Sequence, residues 1–483
     1  MSAARSARPT ARGGWAALIL AALPAFLTLA LALSQHGLIG DIGFDIANGR
    51  WIMQHGYIPL ANHLTSAMSG AYWSNEEWLF GLYTAWLYTW GGSVAVFVGL
   101  LPLLAGIAVL LAWAARGLGP YWRTLWPLAT AVAILPVMSP RPQLLSFLLF
   151  AYAVAAIGAA RRGRTLHLWL TSLSALLWVQ VHGSVLLLPL VLGLNWLLPS
   201  QELPRRRIVA PFLTSLLLLF VRPGGPLAVL RNLVNVGSGG NTNVIAEWAS
   251  PNFHEPWAMA AALVLLAAIG LLMPELWRRR RWADLILLVG SAAALLYAAR
   301  FLPYFILTVA LLALPYVPQS WRIAAPQEIA RAGGRSLLLS ALIALFLGVM
   351  FFSRPVFPQR APMKAIAYLV RHHASDVFAA YQIGSSLELY GVEPYLDSRD
   401  NLWLQRSWWP RFLDVTGGAM PVTAYLKRFD PSARYVLWQM RSPVAVELDA
   451  SRKWQRVLVD PNVLGPARAS YGAYGVWRKV GSS

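Results

Sequence analysis

The sequence predicts a mainly α, polytopic helical membrane protein of about eleven spans that ends in a small extracytoplasmic α/β domain. Three observations predict it. Of 483 residues, 57% are hydrophobic and only 12% charged, with a mean hydropathy of +0.52. A water-soluble chain of this length carries roughly twice that share of charge, about 25%. The apolar residues gather into stretches of membrane-spanning length, and the arginines fall on alternate loops.

Spans are expected near 14–34, 93–115, 124–138, 143–160, 166–181, 184–199, 208–221, 257–276, 283–299, 301–317 and 336–352. Several fall short of the ~20 residues of an ideal span, so their ends are soft and one or two re-entrant segments fit as well. The organisation is then a cytoplasmic N-terminal tail over 1–13, a transmembrane domain over 14–352, and a soluble domain over 353–483.

With the N-terminus in the cytoplasm, eighteen arginines of the loops lie inside and five lie outside. The inside set includes the runs Arg161, Arg162 and Arg164, then Arg205–Arg207, then Arg278–Arg281. This positive-inside bias fixes the orientation and puts the tail on the outer face. The formal charge of +20 therefore reads as topology and contact with anionic lipid, and no nucleic-acid partner is expected. The apolar run after the first arginines is longer than a signal peptide's and reads as a retained anchor. The chain has no cysteine, which excludes disulfides and thiolate chemistry.

Two outer loops stand out, 35–92 and 222–256. In the first, Asp45 is placed to N-cap a helix IANGRWIMQH that Gly56 ends and Pro59 keeps from resuming. Ser74 to Glu77 has the spacing of a capping box, opening the aromatic helix WLFGLYTAWLYTW at the membrane interface. The second loop holds GSGGNTN and then EWASPNFHEP. The tail alternates helical patterns (PMKAIAYLVRHH, PVTAYLKRF) with extended ones (VFAAY, RYVLWQ, WQRVLVD, AYGVWRK).

Nucleotide-loop, zincin and hydrolase-elbow motifs are missing. What remains is polar chemistry on the outer loops: Asp41, Asp45, Glu76, Glu77, Glu247, Glu255, His36, His55, His63, His182, His254, Arg141, Arg222 and Arg300. Each has a structural reading beside the functional one. Asp45 reads as a cap, Glu77 as the capping-box partner, His182 as a span-end hydrogen bonder and Arg141 as a snorkelling anchor. Asp41 resists that treatment, because an ionised carboxylate at the hydrocarbon edge is costly without a partner or a function.

The segment GDIGFDIANGRWIMQHGYIPLANHLTSAMSGAYWSNEEWL resembles the first outer loop of bacterial polytopic proteins in, or close to, the GT-C superfamily of membrane glycosyltransferases. The shared pattern is an Asp after the first span, then Gly49-Arg50-Trp51-Ile52, Gly56-Tyr57-Ile58-Pro59, and Trp73 spaced from Trp78-Leu79. RPQLLSFLLF, LLWVQVHGS, IAEWASPNFHEP, ARFLPYF and PYLDSRD continue the likeness. It implies a bacterial inner-membrane enzyme with a periplasmic tail that transfers sugar from a polyprenyl-phosphate carrier to an acceptor it does not identify. It implies Asp41 and Asp45 at the catalytic centre, with Arg50, Glu77, Arg141, His182, Glu247, His254 and Arg300 contacting substrate. The cofactor is left open: no metal site is indicated, although a divalent ion is compatible. The W-W-D-Y-G signature of oligosaccharyltransferases is absent, which argues against asparagine glycosylation. The competing reading is a non-catalytic transporter, flippase subunit or envelope scaffold. A transporter places ionisable groups in mid-span, whereas the acids here gather on one face.

Overall fold

The computed structural model describes residues 11–35, 40–237, 246–322, 326–353, 361–399, 402, 408–461 and 472–481. His36 and most of GSGGNTN lie outside the described residues. Helices stand at each stretch expected to be apolar and helical. They are α1 (Ala11–Ser34), α2 (Asp41–His55), α3 (Trp78–Ala114), α4 (Pro120–Ile134), α5 (Gln143–Arg161), α6 (Leu166–Leu173) and α7 (Ala175–Trp178). There follow α8 (Leu187–Leu197), α9 (Arg205–Leu218), α10 (Gly225–Gly237), α11 (Pro256–Ala267), α12 (Met273–Arg278), α13 (Trp282–Tyr297), α14 (Leu302–Ala313) and α15 (Pro326–Ser353).

Five described stretches are long and apolar enough to cross a membrane: Trp15–Ser34, Trp78–Gly117, Gln143–Arg161, Pro256–Arg278 and Ala299–Tyr316. Leu166–Trp178, Gly183–Leu197, Trp282–Tyr297 and Gly334–Phe346 are shorter apolar helices. Large apolar side chains point away from the protein, among them Leu217, Leu263, Leu266, Leu271 and Leu345. In water such a surface promotes aggregation; against lipid tails it is the expected exterior. The chain is a mainly helical membrane protein with a small sheet in its tail.

The first long loop departs from expectation at two places. Helix α2 begins at Asp41 with Gly40 at its N-cap, so Asp45 sits in the second turn and caps nothing. Gly56 does end the helix in the left-handed conformation, φ 75°. Ser74 and Glu77 form no capping box either. Asn75 turns the chain at φ 42°, delaying the helix to Trp78, and the Ser74 hydroxyl donates to Glu76 instead. The aromatic helix and the span after it are one element, α3, broken at Gly91–Gly92, where Gly92 takes φ 61° and ψ −146°.

The tail builds a four-stranded sheet from β1 (Val377–Ala379), β2 (Tyr435–Gln439), β3 (Trp454–Asp460) and β4 (Tyr474–Lys479), in the order β1-β2-β4-β3. β1 and β2 run parallel and the other pairs antiparallel. Its helices are α16 (Met363–Arg371), α17 (Tyr381–Leu389), α18 (Trp408–Thr416), α19 (Val422–Phe429) and α20 (Pro443–Ala450). Strand alternation divides the core: Phe378, Val436 and Trp438 enter one cluster, Val377, Ala379 and Leu437 the other. The first cluster also takes in Phe44, Ala67 and Trp73 from the long loop, so tail and loop share a core.

Helix α2 is the piece between bundle and tail. A Cβ on Gly49 would stand 2.0 Å from the Gly81 carbonyl oxygen of α3, and one on Gly43 would stand 2.1 Å from that of Ser385 in α17. The Ser66 and Ala67 amides donate to the Pro394 and Tyr395 carbonyls, and the Arg50 guanidinium donates to the Leu389 carbonyl at 2.7 Å. Gly49→Ala should therefore cost about 1–3 kcal/mol through overpacking. Gly117→Ala, where nothing stands within 4 Å, should leave stability unchanged. Thermal unfolding of the purified variants in one detergent checks both.

Candidate active site

The end of the bundle that carries both long loops gathers the charged groups of four chain segments. The Pro140-Arg141-Pro142 turn leads into α5 and directs Arg141 back across that end. Its Nε lies 3.2 Å from Asp41 Oδ2, and its Nη1 donates to Glu247 Oε2 at 2.6 Å. Arg141 thus does not snorkel; it bridges two carboxylates. Glu247 sits in a short 3₁₀ turn, and the Ala299 amide donates to the Ala249 carbonyl, drawing that turn toward Arg300. Arg300 Nη1 then lies 3.8 Å from Glu247 Oε1, its guanidinium 4.2 Å from the centre of the Trp248 ring.

His182 reaches the same end from the turn after α7. That turn is pinned by the Trp178 indole N–H, which donates to Ser146 of α5 at 2.9 Å. The Ser184 amide donates to His182 Nδ1, so the neutral ring carries its proton on Nε2, 3.7 Å from Glu77 Oε1. Glu77 is held opposite because the Trp78 indole and the Leu79 amide both donate to Gln180.

Burial and two flanking cations set the protonation. Burial, with Arg300 and Arg141 adding to it, pushes the His182 imidazole down to about 3. Burial alone would raise Glu247, but Arg141 and Arg300 hold it below the usual carboxylate range. Burial pushes the Asp45 carboxyl well up, Asp41 pushes it further, and Arg141 and Arg399 oppose them. The cluster therefore offers carboxyl groups, Glu247 held in its ionised form, two guanidiniums and a neutral imidazole donor. That set can accept a proton from a hydroxyl and stabilise an anionic leaving group. Among the described residues, no three His, Asp or Glu side chains are grouped to hold a metal ion.

The structure thus brings together Asp41, Glu77, Arg141, His182, Glu247 and Arg300, with Asp45 buried directly behind. Two residues expected here are elsewhere. Arg50 is occupied with the Leu389 carbonyl and the Tyr88 ring, 4.9 Å away. His254 is exposed, and its described contact is a backbone bond to Asn252. Arg399, Asp397 and Glu388 of the tail border Asp45 from the other side. The one hint of them in the sequence is the charged PYLDSRD segment.

The fold of this chain is similar to that of solved oligosaccharyltransferases. It resembles the archaeal oligosaccharyltransferase AglB from Archaeoglobus fulgidus, solved in complex with an inhibitory peptide and a dolichol-phosphate, with a TM-score of 0.60 at 12% identity. The match covers 98% of this chain and 75% of that one. The Archaeoglobus fulgidus oligosaccharyltransferase tethered to an acceptor peptide containing the NVT sequon gives a TM-score of 0.55 at 11% identity, over 89% of this chain and 69% of that one. No protein-family model matches the sequence, and no curated protein matches it.

The depressed His182 value has a measurable consequence. An unfolded histidine titrates near 6.5, whereas the folded ring stays neutral down to about 3. Between those limits the unfolded state binds the extra proton, so His182 makes stability fall as pH drops through that window. His182→Gln should flatten the fall in Tm between pH 6.5 and 4, measured by thermal unfolding across that range.

Proposed function

We propose that the chain is a membrane glycosyltransferase that moves a sugar from a polyprenyl-phosphate-linked donor to an acceptor at the outer face of a bacterial inner membrane. The observation that carries the reading is the convergence of Asp41, Arg141, Glu247, Arg300, His182 and Glu77 at the end of the bundle where the tail docks. A transporter needs ionisable groups along a path through the spans. Asp284, the buried acid at the opposite end, is instead clamped by Arg161 and Arg281.

An apolar groove of about 810 Å³ supports a lipid-linked donor. It is lined along α4 by Trp122, Trp126 and Ala129, and it reaches Pro136 and, on α11, Pro256 and Trp257. Pro136 is five residues from Arg141 in the chain. A prenyl chain lying there would bring its phosphate toward the guanidiniums.

In the reaction, Asp41 takes the proton of an acceptor hydroxyl while that oxygen bonds to the anomeric carbon of the sugar. The anomeric carbon–oxygen bond to phosphate breaks, and polyprenyl phosphate leaves with the electron pair. Arg141 and Arg300 stabilise the leaving charge, and the His182 Nε2–H orients a sugar or phosphate oxygen. On this reading, eleven crossings from a cytoplasmic N-terminus would put this cluster and the tail outside. Reporter fusions at Gly163 and Gly472 should then read as cytoplasmic and external respectively; cytoplasmic activity at Gly472 would rule the orientation out.

The decisive experiment is sugar transfer by purified protein in nanodiscs, across a panel of polyprenyl-phosphate sugars. Asp41→Asn should keep the wild-type melt and lose about 10²–10⁴ of the rate. Full activity in Asp41→Asn removes it as the base. No transfer and no donor binding by the wild type favours the scaffold reading.

A further inference from the structure

Behind the cluster lies a second group of charges that the proposed reaction does not use. Asp45 stands one helical turn from Asp41 on α2, is completely buried, and has no hydrogen-bond partner for either carboxylate oxygen among the described residues. Across the loop–tail interface is Arg399, also buried. Its Nε donates to Asp397 Oδ2 at 2.5 Å, its Nη2 to Asn62 Oδ1 at 2.8 Å, and its plane lies 4.5 Å from the Trp73 ring centre. Its Nη1 is left without a partner among the described residues. A buried carboxyl and a buried guanidinium, each with unsatisfied atoms, thus border one interface from opposite sides. Leaving such groups unsatisfied is costly, so their mutual field is the remaining compensation.

The charges acting on Asp45 come from three separate parts of the chain. Asp41 shares its helix, Arg141 comes from the turn before α5, and Arg399 from the tail. Glu388 of α17 faces Asp397 and feels Asp45 as well. Arg141 is already bonded to Asp41 and Glu247, whereas Arg399 has Asp397 and an unused N–H.

We infer that Arg399, packed over Trp73 and over Phe44, the residue before Asp45, is a positioning residue of this site that supplies from the tail the cation facing the buried Asp45 carboxyl, one helical turn behind Asp41. Docking of the tail is then a condition of the charge state of the Asp45 carboxyl. The inference rests on the glycosyltransferase reading only in naming Asp41 the base.

The test needs no donor sugar. Full-length protein labelled with ¹³C-aspartate is titrated in detergent by infrared spectroscopy, the Asp45 carboxyl band being the one that Asp45→Asn removes. Loss of a cation next to a carboxyl typically raises its titration by about 1–3 pH units. Arg399→Gln should move the Asp45 band up by that amount, and Arg399→Lys, which keeps the cation, should leave it near the wild type. Asp397→Asn, which frees the guanidinium and removes a negative charge, should move it down. An unchanged band in an Arg399→Gln protein that melts like wild type overturns the inference. If Arg399→Gln does not fold, an unmoved band in Asp397→Asn overturns it. Either result leaves the sugar-transfer assay to stand or fall separately.

Discussion

Two helix contacts at the loop end are made backbone to backbone, and they set the rest of that end in place. Gly49 and Gly81 bring the backbones of α2 and α3 together, with the Ala85 methyl beside them, and Gly43 brings α2 onto the backbone of α17. This closeness puts Asp41 within reach of Arg141 and buries Asp45 completely. It also lets the loop's Phe44, Ala67 and Trp73 enter the tail's core. A single methyl at either glycine would push on a carbonyl oxygen, an atom that no rotamer change can move.

The charge arrangement follows from the dielectric around it. Three carboxyl groups and two guanidiniums stand partly buried at the loop end of the bundle, where an isolated charge is costly. Arg141 resolves most of this by bonding Asp41 and Glu247 together, and Arg300 takes the second Glu247 oxygen and the face of Trp248. His182 contributes by staying neutral. Burial enforces that neutrality, and Arg300 and Arg141, which would repel a protonated ring, add to it. The site is therefore an interdependent set, in which removing one cation alters the proton occupancy of several neighbours.

Much of this was legible in the sequence, for identifiable reasons. Span-length apolar runs mark helices irrespective of their partners, and the tail's strands at 377–379, 435–439, 454–460 and 474–479 showed as extended patterns. Asp41, Arg141, His182, Glu247 and Arg300 stood out because charge is scarce at span ends. The errors came where tertiary contacts override local rules. Asp45 looked like a cap because its type and position suit one, yet the helix starts a turn earlier, against α17. Ser74 and Glu77 had capping-box spacing, but Asn75 is drawn to Asn48 and to the Pro59 carbonyl, and the chain turns there. Helices α17, α18 and α20 were missed because their apolar patterns are short. Arg399 went unread because nothing local distinguishes a buried Arg-Asp pair from a solvated one.

The break in α3 separates a thirteen-residue aromatic arm from the span that follows, Trp78 to Trp90 against Ser93 onward. At 1.5 Å per residue the arm is about 20 Å long. Its exposed residues include Trp86 and Trp90, a residue type that favours the headgroup level of a bilayer. The same arm begins next to Glu77 and packs on α2. It also folds back on the span, since its Tyr83 hydroxyl donates to the Gly99 carbonyl at 2.7 Å, so the charged cluster is tied to the span through the arm. A side chain at Gly99 would collide with Leu87 of the arm, so the glycine pair makes a fold in the helix whose two limbs are packed together rather than a free joint.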